Sequence, residues 1–333
     1  MATFLSVFLN ILFLIIGMAL LIKGADFFVE GSSKVAKALK IPSLIIGLTL
    51  VSIGTSLPEL SVSVNAALGG NADISYGNVV GSNIFNVFVV IGASALFTPM
   101  LVTKEMKKYD IPILIAIYVL FALFSFVISP LKLSLVESII LVVLFVGYLV
   151  FLVLRTLKGN KNVAEEEVVE QTNKKPRKMW VNILFIILGL AGIIAGGEFV
   201  VTTAENLALM AGMSKLLVGL TIVAVGTSLP ELVTSIVAAK KGENDIAVGN
   251  SIGSSIFNIL LILGVASSLR PISFEFDTII DVVMMFVSAV MVFLFALRKS
   301  KINRIHGVIL ILVYVIYLTF IILRELSILN FVL

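Results

Sequence analysis

Apolar residues in this chain fall in long blocks that are apolar on every side, not in the one-sided stripes of a surface helix. Short polar connections, most of them carrying lysine, separate the blocks. A block of about 20 residues crosses the hydrocarbon core of a bilayer as a helix, and about ten such blocks lie between Phe4 and Leu323. Helices or closed barrels are the only structures that satisfy their own backbone in lipid. The pattern therefore predicts an all-α integral membrane protein of ten transmembrane helices. Composition agrees: 59% of the 333 residues are hydrophobic and 13% charged, against roughly 45–50% and about 25% in soluble domains.

Numbering the spans makes sense of the net charge of +4. With the N-terminus outside, the inner connections carry Lys34, Lys37 and Lys40, then Lys104, Lys107 and Lys108, then Arg155 to Lys178, Lys240 and Lys241, and Arg298 to Arg304. These hold 19 of the 24 basic residues. The bias is the positive-inside signature of a cell-membrane protein with both termini extracytoplasmic. No basic patch is interleaved with stacking aromatics, so no nucleic-acid partner is expected. Cysteine is absent, which excludes thiolate chemistry and sulfur-ligated metals.

Gly54-Thr55-Ser56-Leu57-Pro58-Glu59-Leu60 recurs unchanged as Gly226-Thr227-Ser228-Leu229-Pro230-Glu231-Leu232, an offset of 226 − 54 = 172. The same offset superposes Gly77-Asn78 on Gly249-Asn250, Gly81-Ser82 on Gly253-Ser254, Ile84-Phe85-Asn86 on Ile256-Phe257-Asn258, and Asp26 on Glu198 within Gly-x-acid-Phe. The match for the first block argues that it is a retained span and not a cleaved signal. Residues 1–157 and 179–333 are thus two five-helix repeats joined by a cytoplasmic linker at 158–178. An odd number of spans per repeat inverts the second relative to the first. Inverted repeats with Gly/Pro-interrupted helices at matching positions are the plan of secondary transporters, which hold substrate where the repeats meet.

Glu59 and Glu231 lie inside apolar helices, where a carboxylate costs about 2.5–3.5 kcal/mol and marks function by default. Each follows a proline, which cannot bond the carbonyl of Gly54 or Gly226. Thr55, Ser56 and Glu59 fall within one turn; Asn78, Ser82 and Asn86 share a face of the next span; the second half repeats both sets. Every group offers oxygen, which suits calcium or sodium, and magnesium's strict octahedron less well. For Asn78 and Asn250, helix packing is as good a reading as ligation. Gly77, Gly81, Gly249 and Gly253 read as close-approach positions. Asp26, beside Lys23, and Glu198 read as structural; Asp73 and Asp245 as turn residues; His306 and Trp180 as interface anchors. The linker, with Glu165, Glu166, Glu167 and Glu170, is too short for a regulatory domain. Ser56 and Ser228 lack a neighbouring base, so no enzyme is expected.

The duplicated Gly-Thr-Ser-Leu-Pro-Glu and Gly-Ser-x-Ile-Phe-Asn blocks resemble the alpha repeats of the sodium/calcium exchanger family, within the cation/calcium antiporter superfamily, over nearly the whole chain. The resemblance implies exchange of sodium for calcium by alternating access, with the first and sixth spans gating and no cofactor beyond the transported ions. It implies ligands at Thr55, Ser56, Glu59, Ser82 and Asn86 and at Thr227, Ser228, Glu231, Ser254 and Asn258, with carbonyls of Ser52 and Ala224. Potassium-dependent relatives carry Asp where this chain has Asn258, which argues against potassium co-transport. A proton/calcium antiporter is the next reading, and a cation channel or membrane scaffold the reading from another class. The expected partners are the two ions and the bilayer, and the expected state is a monomer.

Overall fold

The computed structural model describes residues 4–70, 72–159, 177–213, 224–273, 275 and 278–325. Helix α1 (Phe4–Leu39) leads to α2 (Ser43–Thr55) and α3 (Leu57–Leu68), one span bent by 48° at Ser56. Then come α4 (Ile74–Phe97), α5 (Met106–Ile128) and α6 (Leu135–Leu157). The second half holds α7 (Met179–Met210), a short turn at Ala224–Gly226 leading to α8 (Leu229–Lys240), then α9 (Asn244–Leu269), α10 (Ile279–Arg298) and α11 (Arg304–Arg324). The described residues thus give eight long apolar helices and a ninth span as the bent pair. The tenth span expected from the sequence would run through residues 214–223, outside the described ones, into α8.

Layering inverts the usual rule. In their most apolar windows α4 and α9 are 78% buried, whereas α1 and α11 are 11% buried. The least hydrophobic helices, rich in Ser, Asn and Gly, form the centre, and the most apolar ones present Phe, Ile and Leu outward, as the bilayer demands.

Helices α1 and α7 cross antiparallel on a ladder of glycines. A Cβ at Gly24 would lie 2.6 Å from the Ile193 nitrogen, one at Gly189 2.5 Å from the Phe28 nitrogen, and one at Gly196 2.4 Å from the Leu21 nitrogen. Backbones approach this closely only where side chains are missing, the common device for packing helices in lipid. Gly249 and Gly253 do the same for α9 against Leu44 to Ser52, with a Cβ 2.9 Å from the Leu44 oxygen and 2.8 Å from the Leu48 Cα respectively. For Gly77 and Gly81 the matching partner segment lies outside the described residues.

The duplication extends to backbone geometry. Every described residue of positive φ has a partner in the other half: Lys40 and Gly212, and Gly70 and Gly242, at the offset of 172, and Leu131 and Ser300 at 300 − 131 = 169. Two-residue strands, not anticipated from the sequence, cross between halves: β1 (Met100–Leu101) pairs with β4 (Lys301–Ile302), and β2 (Lys132–Leu133) with β3 (Ile272–Ser273).

Two ion pairs escaped sequence reading because their members are far apart in the chain. Arg155 of α6 holds the fully buried Asp110 of α5 at 2.7 Å, and Arg324 of α11 lies 3.8 Å from Asp281 of α10, which also accepts a 2.8 Å bond from Tyr317. They occupy corresponding places in the two halves and tie the outer helices pairwise. Breaking a buried pair by removing one member costs about 3–5 kcal/mol. Asp110→Ala is therefore expected to lower the thermal transition of the purified protein by several degrees, and Asp110→Ala with Arg155→Leu to recover most of the loss.

Asp26 differs from expectation in its partner. Its carboxylate binds Lys241 at 2.7 Å, not the adjacent Lys23, because residues 26 and 30 face α8. His306 stacks on Phe295 at 4.2 Å, and Trp180 is exposed at the start of α7.

Candidate cation site

The two broken helices meet at the centre. At both breaks a serine leaves the helical conformation, Ser56 at φ −87°, ψ 8° and Ser228 at φ −93°, ψ 5°, and proline then restarts the helix in its first turn. Glu59 and Glu231 consequently sit in the first turn of α3 and α8, where unpaired backbone N–H groups and the helix dipole favour a negative charge. Both side chains are fully buried.

Each glutamate is held by the serine of the opposite half. Ser56 Oγ donates to Glu231 Oε1 at 2.7 Å, and Ser228 Oγ donates to Glu59 Oε1 at 3.2 Å. The threonines cross likewise, Thr55 Oγ1 to Asn250 Oδ1 at 3.1 Å and Thr227 Oγ1 to Asn78 Oδ1 at 3.3 Å. Asn78 Nδ2 donates to the Glu59 carbonyl at 3.2 Å and Ser63 Oγ at 2.9 Å; Asn250 Nδ2 donates to the Glu231 carbonyl at 3.3 Å and Ser235 Oγ at 2.9 Å. With both amide hydrogens and the oxygen engaged, Asn78 and Asn250 position the glutamates, in line with the packing reading. Ser63 and Ser235, part of this bracing, were not singled out from sequence, although their match across the repeat was a usable signal.

Symmetry is imperfect at the serines of α4 and α9. Ser254 Oγ lies 3.4 Å from both Glu231 Oε1 and the Ser52 carbonyl, whereas Ser82 Oγ lies 3.0 Å from Ser228 Oγ. Ser251 caps the Asn86 carbonyl at 2.6 Å, and its counterpart in the first half is Val79. Ser52, whose carbonyl is thereby drawn to the site, is buried; Ala224 begins the turn before the second break.

Six buried polar atoms of this cluster have no hydrogen-bond partner among the described residues: the second carboxylate oxygen of Glu59 and of Glu231, and both amide atoms of Asn86 and of Asn258. A buried polar atom left unsatisfied costs about 1–3 kcal/mol, and a charged one more. Their recurrence at matching positions in both halves marks design and not accident. At each asparagine the helix also widens into a π-turn, Asn86–Val90 in α4 and Asn258–Leu263 in α9, a distortion common at functional sites. Two carboxylates with neutral amide, hydroxyl and carbonyl oxygens make a donor set for a hard cation of flexible coordination.

Of the expected site residues, hydrogen bonds join Thr55, Ser56, Glu59, Ser82, Thr227, Ser228, Glu231 and Ser254 with the Ser52 carbonyl into one cluster, buried except at the half-buried Thr227, while Asn86 and Asn258 are buried one turn beyond Ser82 and Ser254. Asp245, Glu198 and Asp26 stand outside its hydrogen-bond network.

Comparison with known proteins bears on this cluster. The family profile described as "Sodium/calcium exchanger protein" matches residues 9–154 and 181–323. Sodium/calcium exchanger MaX1 of Methanosarcina acetivorans is 34% identical over 342 aligned positions, covering 93% of this chain and 97% of that protein. Inner membrane protein YrbG of Escherichia coli is 39% identical over 260, covering 78% and 79%. The solved structure of the sodium-calcium exchanger NCX_Mj superposes with a TM-score of 0.80 at 32% identity, covering 94% of this chain and 99% of that one. With the duplicated glutamate blocks, the crossed contacts and the whole-length match all agreeing, this chain is a multi-pass membrane protein that belongs to the sodium/calcium exchanger family.

Proposed function

We propose that this protein is a secondary active antiporter that exchanges Na+ for Ca2+ across the cell membrane by alternating access, its halves being inverted repeats with both termini extracytoplasmic. The observation that carries this reading is the pair of fully buried glutamates, each tethered by the other half, beside unpartnered carboxylate and amide atoms at matching positions. Glu59 and Glu231 share one calcium ion or divide several sodium ions, with Asn86, Asn258, the four Thr and Ser hydroxyls of the breaks, Ser82, Ser254 and the carbonyls of Ser52 and Ala224 completing the shell. Competition for the same two carboxylates enforces exchange. Two ionised carboxylates are neutralised by one calcium ion and overbalanced by three sodium ions, so a cycle exchanging unequal charge responds to voltage.

Calcium-45 uptake into proteoliposomes tests the reading. An outward sodium gradient at fixed potential is expected to drive uptake, and an inside-negative potential to change its rate. Uptake driven by a proton gradient alone would instead assign proton coupling, and no calcium flux under either gradient would overturn the calcium assignment.

A further inference from the structure

Two ends of the α1–α7 pair are built differently. Asp26, Glu30, Ser33 and Lys37, spaced along one face of α1, meet the turn between α8 and α9. Lys241 Nζ binds the Asp26 carboxylate at 2.7 Å and its backbone oxygen at 2.9 Å, with Glu30 at 3.8 Å. Glu243 accepts from Ser33 Oγ and pairs with Lys37 at 3.5 Å. Arg177, just before α7, reaches Glu30 at 3.1 Å, which places this cluster at the linker end. Gly242 between the two charged residues has φ +80°, the left-handed geometry that turns both side chains back onto α1.

The repeat allows a comparison within one molecule. Shifted by 172, Lys241 and Glu243 become Gly69 and Asn71, and Asp26, Glu30, Ser33 and Lys37 become Glu198, Thr202, Glu205 and Leu209. At the position of Lys241 the other end has Gly69, which offers no basic side chain to Glu198; the guanidinium beside that turn, Arg270, packs against Gly70. Among the described residues Glu198 makes no ion pair, and it lines a cavity of about 410 Å³ with Ser61, Thr202, Thr227 and Pro230. That cavity reaches Thr227, a member of the cation cluster. One end carries a charge network between α1 and the α8–α9 turn, and at the other a cavity leads toward the cluster.

We infer that Lys241 and Glu243 with Asp26, Glu30, Ser33 and Lys37 form an ionic latch that holds the linker end of the transport path closed and, having no counterpart among the described residues of the other half, sets the balance between the two access states. The inference rests on the antiporter reading, because it needs access from two sides. Single pairs at partly exposed positions are weak. Here several share partners and act on one rigid element, so a small loss shifts a two-state population measurably.

Since the chain has no cysteine, single reporters can be introduced directly: Ser61→Cys on the cavity, and Val233→Cys at the matching position of α8, whose C-terminal end leads into the latch turn. With an impermeant maleimide applied from both sides of proteoliposomes, Lys241→Ala with Glu243→Ala is expected to speed labelling of the second reporter about fivefold, about 1 kcal/mol, and to slow the first. The charge swap of Asp26→Lys with Lys241→Asp should restore most of the original pattern, which a fold defect would not permit. High choline chloride should move the unsubstituted latch the same way, because exposed pairs are screened by salt. Unchanged labelling at both reporters in the Ala variant, or unchanged labelling in high salt should that variant not fold, overturns the latch. Sodium-driven calcium uptake by the unmutated protein in the same vesicles tests the antiporter reading separately.

Discussion

Glu59→Gln and Glu231→Gln are each expected to abolish sodium-driven calcium uptake, by at least about 100-fold. Glutamine keeps the shape, accepts the serine hydrogen bond through its oxygen, and removes the one property the site cannot replace. A divalent ion entering a buried shell gives up its water, and only formal negative charge compensates in so low a dielectric. With one carboxylate left, calcium would leave a net positive charge among fully buried groups. Because the two glutamates are cross-tethered, either single variant should be as inactive as the double one, the behaviour of residues acting as a unit. Ser56→Ala and Ser228→Ala should fall between, each loosening the glutamate of the opposite half while leaving its charge. Calcium-45 uptake by protein of verified elution profile measures this; a Glu59→Gln variant retaining a tenth of normal uptake would remove that carboxylate from the transported ion's shell.

What could be read from sequence follows from what the membrane makes expensive. Carboxylates and prolines inside apolar runs, with repeated Ser and Asn at four-residue spacing, stand out against a hydrophobic background, so the residues that gather around Glu59 and Glu231 are legible in the sequence. The bend at Ser56 follows from Pro58 and its missing N–H. Relations between distant residues were not legible. Asp110 and Arg155 are 45 positions apart, each unremarkable near a span end. Asp26 has Lys23 close by in sequence, yet a helix turns residues three apart only partly toward each other, and Lys241 arrives from 215 positions away. The division of labour among the asparagines was open too. Asn78 and Asn250 are spent on carbonyls and hydroxyls, while the amides of Asn86 and Asn258 find no partner among the described residues, a distinction that depends on which neighbours reach them. Ser251 stands where the first half has Val79, a difference that acquires meaning only once the Asn86 carbonyl is seen beside it.

Gly189→Leu is expected to be the most damaging change outside the cation cluster. A Cβ at this position would lie 2.5 Å from the Phe28 nitrogen, 2.8 Å from the Gly24 oxygen and 2.8 Å from the Phe28 Cα. All three are backbone atoms, so no rotamer change relieves the clash and the helices must separate. Separation by even an ångström forfeits much of the dispersion along the ladder, and lipid offers no hydrophobic effect to push the helices back together. Overpacking costs about 1–3 kcal/mol in ordinary cores and more where only backbone can yield. Gly189→Ala should lower the thermal transition by several degrees, and Gly189→Leu should yield little folded protein. The functional consequence is the sharper test. If α1 and α7 move as one body, Gly189→Ala should slow exchange without altering the concentration of calcium that half-saturates uptake, because the cation cluster lies on α2, α3, α4, α8 and α9. A change in half-saturation with the rate intact would mean that the α1–α7 seam shapes the ion shell directly.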